Sequence, residues 1–424
     1  MIASVERSAL SGEVFAPPSK SYTHRAILIT SLGPGGRVLR PLLSADTRAT
    51  IAACRAFGAD VSVEANDEVG ITGLSDQPRT PEDVVNVLNS GTTLRFSSAV
   101  AALTDGAVLT GDASIRTRPN GPLLSTLSEL GAQAFSIRNN GRAPLVVRGR
   151  MRGGTAHLLG GVSSQFLSAL FIASPLVPAD TRIEIEGELK SRPYADITLD
   201  MLADAGVRVE ETVEPHSFLV PGGQSFGLKS YTIPGDFSSA SYPMAAAAVT
   251  GSEVTVKGIL PSRQGDSAII DILTRMGAKV NWDREAGELR VNGGDLQGIE
   301  IDASRTPDLV PTIAVLGAAA RGKTVVFNAE HVRHKETDRL HAMAVELSRM
   351  GANIRERPDG LEIVGGPLSP ARVHGWDDHR IVMALAVAGL VAGGTKIDTA
   401  ESVDVSYPGF FREMGKLGAK MSVE

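Results

Sequence analysis

At 424 residues, 42% of them hydrophobic, the chain is too long for one core, and two or three domains are expected. A net charge of −6 and an aromatic content of 4% argue against a nucleic-acid binder, whose surface carries a basic surplus. Cys54 is the single cysteine, so neither an intrachain disulfide nor a cysteine-based zinc site is available. The first seven residues lack the apolar run of a signal peptide, and the longest apolar stretch, Ile381 to Gly394, is short of the roughly 20 residues that span a bilayer. A cytoplasmic protein is expected.

In chain order, a series of polar phrases opens apolar helical runs. Lys20-Ser21-Tyr22-Thr23-His24-Arg25 leads into Ala26-Ile27-Leu28-Ile29, and Asn89-Ser90-Gly91-Thr92-Thr93-Leu94-Arg95 leads into Phe96 and an alanine-valine run. Ser163-Ser164-Gln165 opens Phe166-Leu167, and Asp236-Phe237-Ser238-Ser239 opens an alanine-rich segment. Pro307-Asp308, His334-Lys335-Glu336-Thr337-Asp338-Arg339 and Asp377-Asp378-His379-Arg380 do the same later. Each phrase has the Ser/Thr/Asp/Asn chemistry of an N-cap. A helix start offers free N–H groups and partial positive charge, and so receives anions.

Lys20, Arg25, Arg95, Lys335, Arg339 and Arg380 place cations near those starts, against the helix dipole, with Arg118 joining from a loop. The mismatch costs a few tenths to about 1 kcal/mol at each start, which a bound anion offsets. Converging cations about 6 Å apart repel by roughly 3 kcal/mol at an effective dielectric near 20. The pattern therefore predicts a ligand carrying phosphate and carboxylate, and domains that stay apart until it binds. Arginine suits a bidentate grip and lysine acts as a point charge.

A second regularity is a repeat of about 70 residues. A Gly, usually followed by Ala, ends an amphipathic segment at Phe57-Gly58-Ala59, Leu130-Gly131-Ala132, Ala205-Gly206-Val207, Met276-Gly277-Ala278, Met350-Gly351-Ala352 and Leu417-Gly418-Ala419. In 269–276 the apolar residues fall at helical spacing, Gly277 supplies a left-handed C′ position, and Lys279-Val280-Asn281-Trp282 alternates as a strand does. Three copies precede residue 230 and three follow it. With crossings at Ala16-Pro17-Pro18-Ser19 and Tyr231-Thr232-Ile233-Pro234-Gly235, residues 20–233 form one expected domain, and 1–19 plus 234–424 the other.

These phrases resemble the 5-enolpyruvylshikimate-3-phosphate synthase family of enolpyruvyl transferases, over essentially the whole chain. The most specific elements are Pro18-Ser19-Lys20-Ser21 with Arg25, Asn89-Ser90-Gly91-Thr92 with Arg95, Arg118-Pro119, Ser163-Ser164-Gln165-Phe166-Leu167, Lys335-Glu336-Thr337-Asp338-Arg339 and Asp378-His379-Arg380. The resemblance implies an α/β fold of two similar domains, each of three βαβαββ units in an inside-out α/β barrel, with a cleft between them. It implies transfer of the enolpyruvyl (carboxyvinyl) group of phosphoenolpyruvate to the 5-hydroxyl of 3-phosphoshikimate, with release of phosphate, in the shikimate pathway to aromatic amino acids. Lys20, Ser21, Arg25, Ser163, Ser164, Gln165, Ser191, Tyr194, Asp308, His331 and Lys335 would line the 3-phosphoshikimate site. Lys20, Asn89, Gly91, Arg118, Gln165, Arg339 and Arg380 would hold phosphoenolpyruvate. Neither metal nor cofactor is expected, nor a nucleic-acid or membrane partner, and the enzyme is expected to act as a monomer.

Three positions depart from the family's commonest pattern. His331 stands where many members have Asn, Phe96 where many have Pro, and Val405, before Ser406-Tyr407-Pro408, where some carry Lys. The chemistry needs an acid at C3 of the enol, a base for the acceptor hydroxyl, and cations for the departing phosphate. Asp308 is the expected base and Glu336 the acid, with Lys20 sharing the proton work. The competing activity is enolpyruvyl transfer to UDP-N-acetylglucosamine. Against it stand Ser21 in place of Asn after Lys20, and a loop at 111–118 without Cys. Further alternatives are a non-catalytic phosphometabolite-binding protein and an RNA-processing relative. The run Arg148-Gly149-Arg150-Met151-Arg152 reads as strand and turn with a solvated face.

Overall fold

The computed structural model describes residues 1–65, 67–212 and 216–424. The chain divides into two compact units, one formed by Pro18–Ile233 and the other by Met1–Pro17 with Pro234–Glu424.

In the N-terminal unit the helices are α1 (Lys20–Leu32), α2 (Ala45–Ala56), α3 (Gly91–Ala101), α4 (Gly121–Glu129), α5 (Ser164–Ala173) and α6 (Arg192–Asp204). The C-terminal unit has α7 (Phe237–Thr250), α8 (Ile269–Met276), α9 (Val310–Ala319), α10 (Arg339–Arg349), α11 (His379–Ala392) and α12 (Phe410–Lys416). Each consecutive pair of helices belongs to one βαβαββ unit. Among the described residues six four-stranded sheets result, three in each compact unit.

All six sheets share one wiring: a parallel pair, then two antiparallel neighbours. In the first, Ser230–Thr232 lies parallel to Gly35–Leu39 with Ser230 opposite Arg37. Val69–Thr72 and then Asp60–Val63 follow antiparallel. That sheet takes its outer strand from the far end of its own unit. The C-terminal unit uses the same device twice: Ser11–Phe15 completes the sheet of Glu253–Lys257, and Ala3–Val5 pairs with Thr395–Ile397 and Met421–Val423. Chain ends are thereby stitched into each unit.

The first helix of each repeat is buried nearly all round. In α11 every residue but one of fourteen is buried, and in α9 all but one of ten. Helices α7, α9 and α11 pack on one another at the centre of their unit, with sheets outside them. The second helices are amphipathic. Helix α8 buries Ile269, Ile272, Leu273 and Met276, the i, i+3, i+4, i+7 stripe, each worth about 1.5–3 kcal/mol; Ile272→Asp would break that face.

The six repeated glycines all lie at positive φ, between 83° and 106°, just past the second helix of each repeat. A Cβ is strained there, so a glycine ends the helix cheaply and turns the chain into the next strand. Among the described residues no helix is long and apolar enough to cross a membrane.

Candidate functional site

The polar phrases do open helices. Ser90 accepts from Thr93 N at the start of α3, Ser163 from Gln165 N at α5, and Asp236 from Ser238 N at α7. Asp338 accepts from His341 N at α10 and Asp378 from Arg380 N at α11. Two details differ from the sequence reading. Lys335 lies before α10, after a 3-10 turn at Glu330–His334, so only Arg339 stands in that first turn. Asp308 sits in its own 3-10 turn, Pro307–Leu309, ahead of α9.

In the N-terminal unit, the start of α3 collects the loop and α5. Arg118 donates from Nη2 to Asn89 Oδ1 (2.6 Å) and Ser114 Oγ (2.9 Å). Arg95 donates to Gln165 Oε1 (2.5 Å) and Asn120 Oδ1 (3.3 Å), and Gln165 Nε2 donates to Thr92 Oγ1 (3.0 Å). A Cβ on Gly91 would stand 2.8 Å from Arg118 Nη1 and 3.0 Å from Arg95 Nη1. A side chain there would push both guanidiniums back from this helix start. Asn89, Gly91, Arg118 and Gln165 are thus brought together.

Lys20, at the first position of α1, donates to Asp46 Oδ2 (3.1 Å). Asp46 lies in the first turn of α2, and its backbone carbonyl accepts from Thr93 of α3. Arg25 is buried and makes four hydrogen bonds, to Thr198 Oγ1, Ser21 O, Ser168 Oγ and Tyr194 O. Its guanidinium lies 5.3 Å from the Phe96 ring centroid, so Phe96 serves as a stacking floor. Burial lowers its pKa to about 10. Arg25 ties α1 to α5 and α6, and so fixes Tyr194 beside Ser191, which caps α6 in left-handed backbone (φ 55°). Burial, then Lys20 and Arg25, hold His24 neutral well below its usual range, its Nδ1 paired with Thr50 Oγ1.

In the C-terminal unit the centre is Asp308. Its Oδ1 accepts from Arg339 Nη1 (2.8 Å), with Lys335 Nζ at 3.7 Å, and its Oδ2 accepts from Arg380 Nη2 (3.3 Å). Arg339 also donates to Glu336 Oε2 (2.8 Å) and grips Asp378 through Nε to Oδ2 (2.8 Å) and Nη2 to Oδ1 (3.2 Å). Burial opposes its charge, but Asp378, Glu336 and Asp308 outweigh that and raise its pKa well above the usual value. The three carboxylates use four of its five N–H groups, leaving one on Nη1. His331 is buried in the adjacent 3-10 turn.

Arg380 is the contrast. It is 2% exposed, yet its Nε and Nη1 have no hydrogen-bond partner among the described residues. Burial opposes its charge too, and Asp308, Tyr242 and Asp236 overcome it, so it stays ionised. Buried, charged, unpaired donors are costly. An anion would satisfy them.

This corrects the picture of bare cations repelling one another. Lys335, Arg339 and Arg380 are interleaved with Asp308, Glu336 and Asp378, and Lys20 has Asp46. Sequence reading missed Asp46, the grip of Arg339 on Asp378, and Asp266. Asp266 is buried, accepts a short hydrogen bond from Ser238 Oγ, and is pushed up to about 7 by burial and then by Asp308. Its neighbour Gln264 accepts from Phe237 N and donates to Gly235 O at the start of α7, contacts that no local pattern in the sequence announces. Val405 ends a 3-10 turn and brings no charge. The segment before Asp378 is strained: Trp376 (φ 57°) and Asp377 (φ 50°) are consecutive left-handed residues, at about 1–2 kcal/mol each.

Comparison with known proteins is consistent across the chain. The family profile of EPSP synthase (3-phosphoshikimate 1-carboxyvinyltransferase) matches residues 5–414. The chain is 69% identical over 421 residues to the 3-phosphoshikimate 1-carboxyvinyltransferase of Methanothrix thermoacetophila, covering 99% of each. It is 59% identical over 425 residues to that of Methanocella arvoryzae, covering 100% of each. Among solved structures, EPSP synthase from Acinetobacter baumannii is similar at a TM-score of 0.84 and 27% identity, covering 100% of this chain and 99% of that one. The enolpyruvyl transferase NikO from Streptomyces tendae shares the fold, at a TM-score of 0.79 and 18% identity over 99% of this chain and 98% of its own.

Proposed function

Because the chain belongs to the EPSP synthase family, we propose that it transfers the enolpyruvyl group of phosphoenolpyruvate to the 5-hydroxyl of 3-phosphoshikimate and releases phosphate. The observation that supports this most is Arg380, a buried cation with two donor atoms unsatisfied among the described residues, beside a carboxylate able to serve as base.

The acceptor hydroxyl adds to C2 of the enol as C3 takes a proton, and in the resulting tetrahedral adduct C3 gives a proton back as the C2–O bond to phosphate breaks, which restores the C2=C3 double bond. Asp308 receives the hydroxyl proton; Lys335, Arg339 and Arg380 hold it in place. Glu336 gives the proton to C3. In the observed arrangement it is an ion-pair partner of Arg339, so that pair has to open when substrate arrives, which a carboxylate on Arg339 would accomplish. Lys20 shares the proton traffic, with Asp46 as its counter-ion. Arg380, Arg118 and the last N–H of Arg339 would grip phosphoenolpyruvate, with Asn89, Gly91 and Gln165. Ser163, Ser164 and Ser191 at helix starts suit the acceptor's phosphate, with Ser21, Arg25, Tyr194, His331 and Lys335 completing its set. Fixed cations and helix ends supply positioning and charge stabilisation.

Enolpyruvyl transfer to UDP-N-acetylglucosamine is not favoured. Incubation with phosphoenolpyruvate and both acceptors, followed by mass spectrometry, tests the choice. The carboxyvinyl mass should appear on 3-phosphoshikimate alone; its appearance only on the nucleotide sugar would refute the assignment.

A further inference from the structure

Among the described residues the Arg380 side chain makes one hydrogen bond, to Asp308 at 3.3 Å, so its place must be set by the backbone that carries it. That backbone enters α11 through residues 374–378, and two successive left-handed residues, Trp376 and Asp377, are a bend a free chain avoids. Something has to hold it.

The fixture is on α10. Arg339 and Glu346 are seven residues apart, two turns, and so lie on one face of the helix. Arg339 grips Asp378, after the bend; Glu346 grips the residues before and within it. Glu346 is fully buried. Its Oε1 accepts from Trp376 Nε1 (2.9 Å) and its Oε2 from the His374 backbone N–H (3.0 Å), while Arg349 Nη1 bonds both oxygens (2.9 and 2.8 Å) and balances the charge. The indole is flanked by His341, at 5.8 Å and perpendicular, and by His374 at 5.4 Å. Asp398 Oδ1 takes Gly375 N–H (2.8 Å), and Thr399 Oγ1 takes Asp377 N–H (3.3 Å).

We propose that Glu346 is a positioning residue for phosphoenolpyruvate binding: through Trp376 and His374 it locks the 374–378 bend and so sets Asp378 and Arg380 at the start of α11. Glu346 touches no substrate in this account, which rests on the proposed function above. If the bend relaxes, Arg380 loses its aim while residues assigned to the acceptor keep theirs. The signature is therefore a split between the two substrates.

The test is steady-state kinetics of wild type, Glu346→Ala, Glu346→Gln and Trp376→Phe, with far-ultraviolet circular dichroism as the folding control. Glu346→Ala should raise KM for phosphoenolpyruvate about tenfold, two lost hydrogen bonds' worth, with KM for 3-phosphoshikimate unchanged within about twofold. Glu346→Gln keeps one acceptor oxygen and should restore about half of that loss on a logarithmic scale, and Trp376→Phe, which removes only the indole donor, should raise the same KM about threefold. If Glu346→Ala does not fold, the other two variants carry the test. Unchanged phosphoenolpyruvate KM in the folded variants, or equal rises for both substrates, would overturn the proposal. A wild type with no turnover would instead refute the proposed function.

Discussion

Replacing Asp308 by asparagine keeps the shape of the side chain and removes one negative charge from among three cations. Arg339 Nη1 and Arg380 Nη2 sit 2.8 and 3.3 Å from its two oxygens. The guanidiniums thus bracket one carboxylate with their charges roughly 6 Å apart, and unscreened they repel by about 3 kcal/mol at an effective dielectric of 20. Arg339 keeps Asp378 and Glu336, whereas Arg380 loses its carboxylate contact. The Asp308 side chain is 18% exposed, so solvent recovers part of the loss, and stability should fall by about 2 kcal/mol. Turnover should fall at least about a hundredfold, the scale of a lost general base. Asp266, relieved of a like charge, should titrate below the value of about 7 it has beside Asp308. Urea denaturation gives the loss of stability and phosphate release the loss of turnover. A folded Asp308→Asn enzyme with kcat within tenfold of wild type would remove Asp308 as the base.

Glu336→Gln should lower kcat about a hundredfold or more with substrates still bound, as measured by kinetics and calorimetry. Arg25→Leu abandons four acceptors, two of them buried and two half-buried, and its urea midpoint should drop by the equivalent of about 3 kcal/mol. His24 is held neutral in the fold, so the unfolded chain binds the extra proton first. Its contribution to stability is complete above its ordinary pKa of 6.5 and is lost as pH falls below it; His24→Asn should flatten the thermal midpoint between pH 7 and 5. Asp266 has the opposite sign, since its raised pKa stabilises the fold below the ordinary carboxylate range, and that contribution is lost as pH climbs through about 7. Asp266→Asn should therefore make melting temperature fall less on going from pH 5 to 8.

Local chemistry was the legible part of this sequence. Gly277 after an amphipathic run needs only its neighbours to announce a helix end, and the six such glycines gave the repeat. Ser90, Ser163, Asp236, Asp338 and Asp378 likewise cap helices through hydrogen bonds spanning two or three residues. What could not be read is long in sequence. Ser230–Thr232 joins a strand nearly two hundred residues earlier, and nothing in its composition names that partner. In the site, cations were visible and their counter-ions were not. Asp46 is 26 residues from Lys20, and Asp378 is 39 from Arg339. The expected crowd of positive charge is therefore an interleaved lattice in the C-terminal unit. Asp266 escaped because a lone buried carboxylate is indistinguishable in sequence from a surface one.

The most direct trial is phosphate release from phosphoenolpyruvate by the purified protein, with and without 3-phosphoshikimate. Steady release that requires both compounds, with one phosphate freed per carboxyvinyl group transferred, is the outcome these residues call for. Silence with both present, or release indifferent to the acceptor, would contradict it.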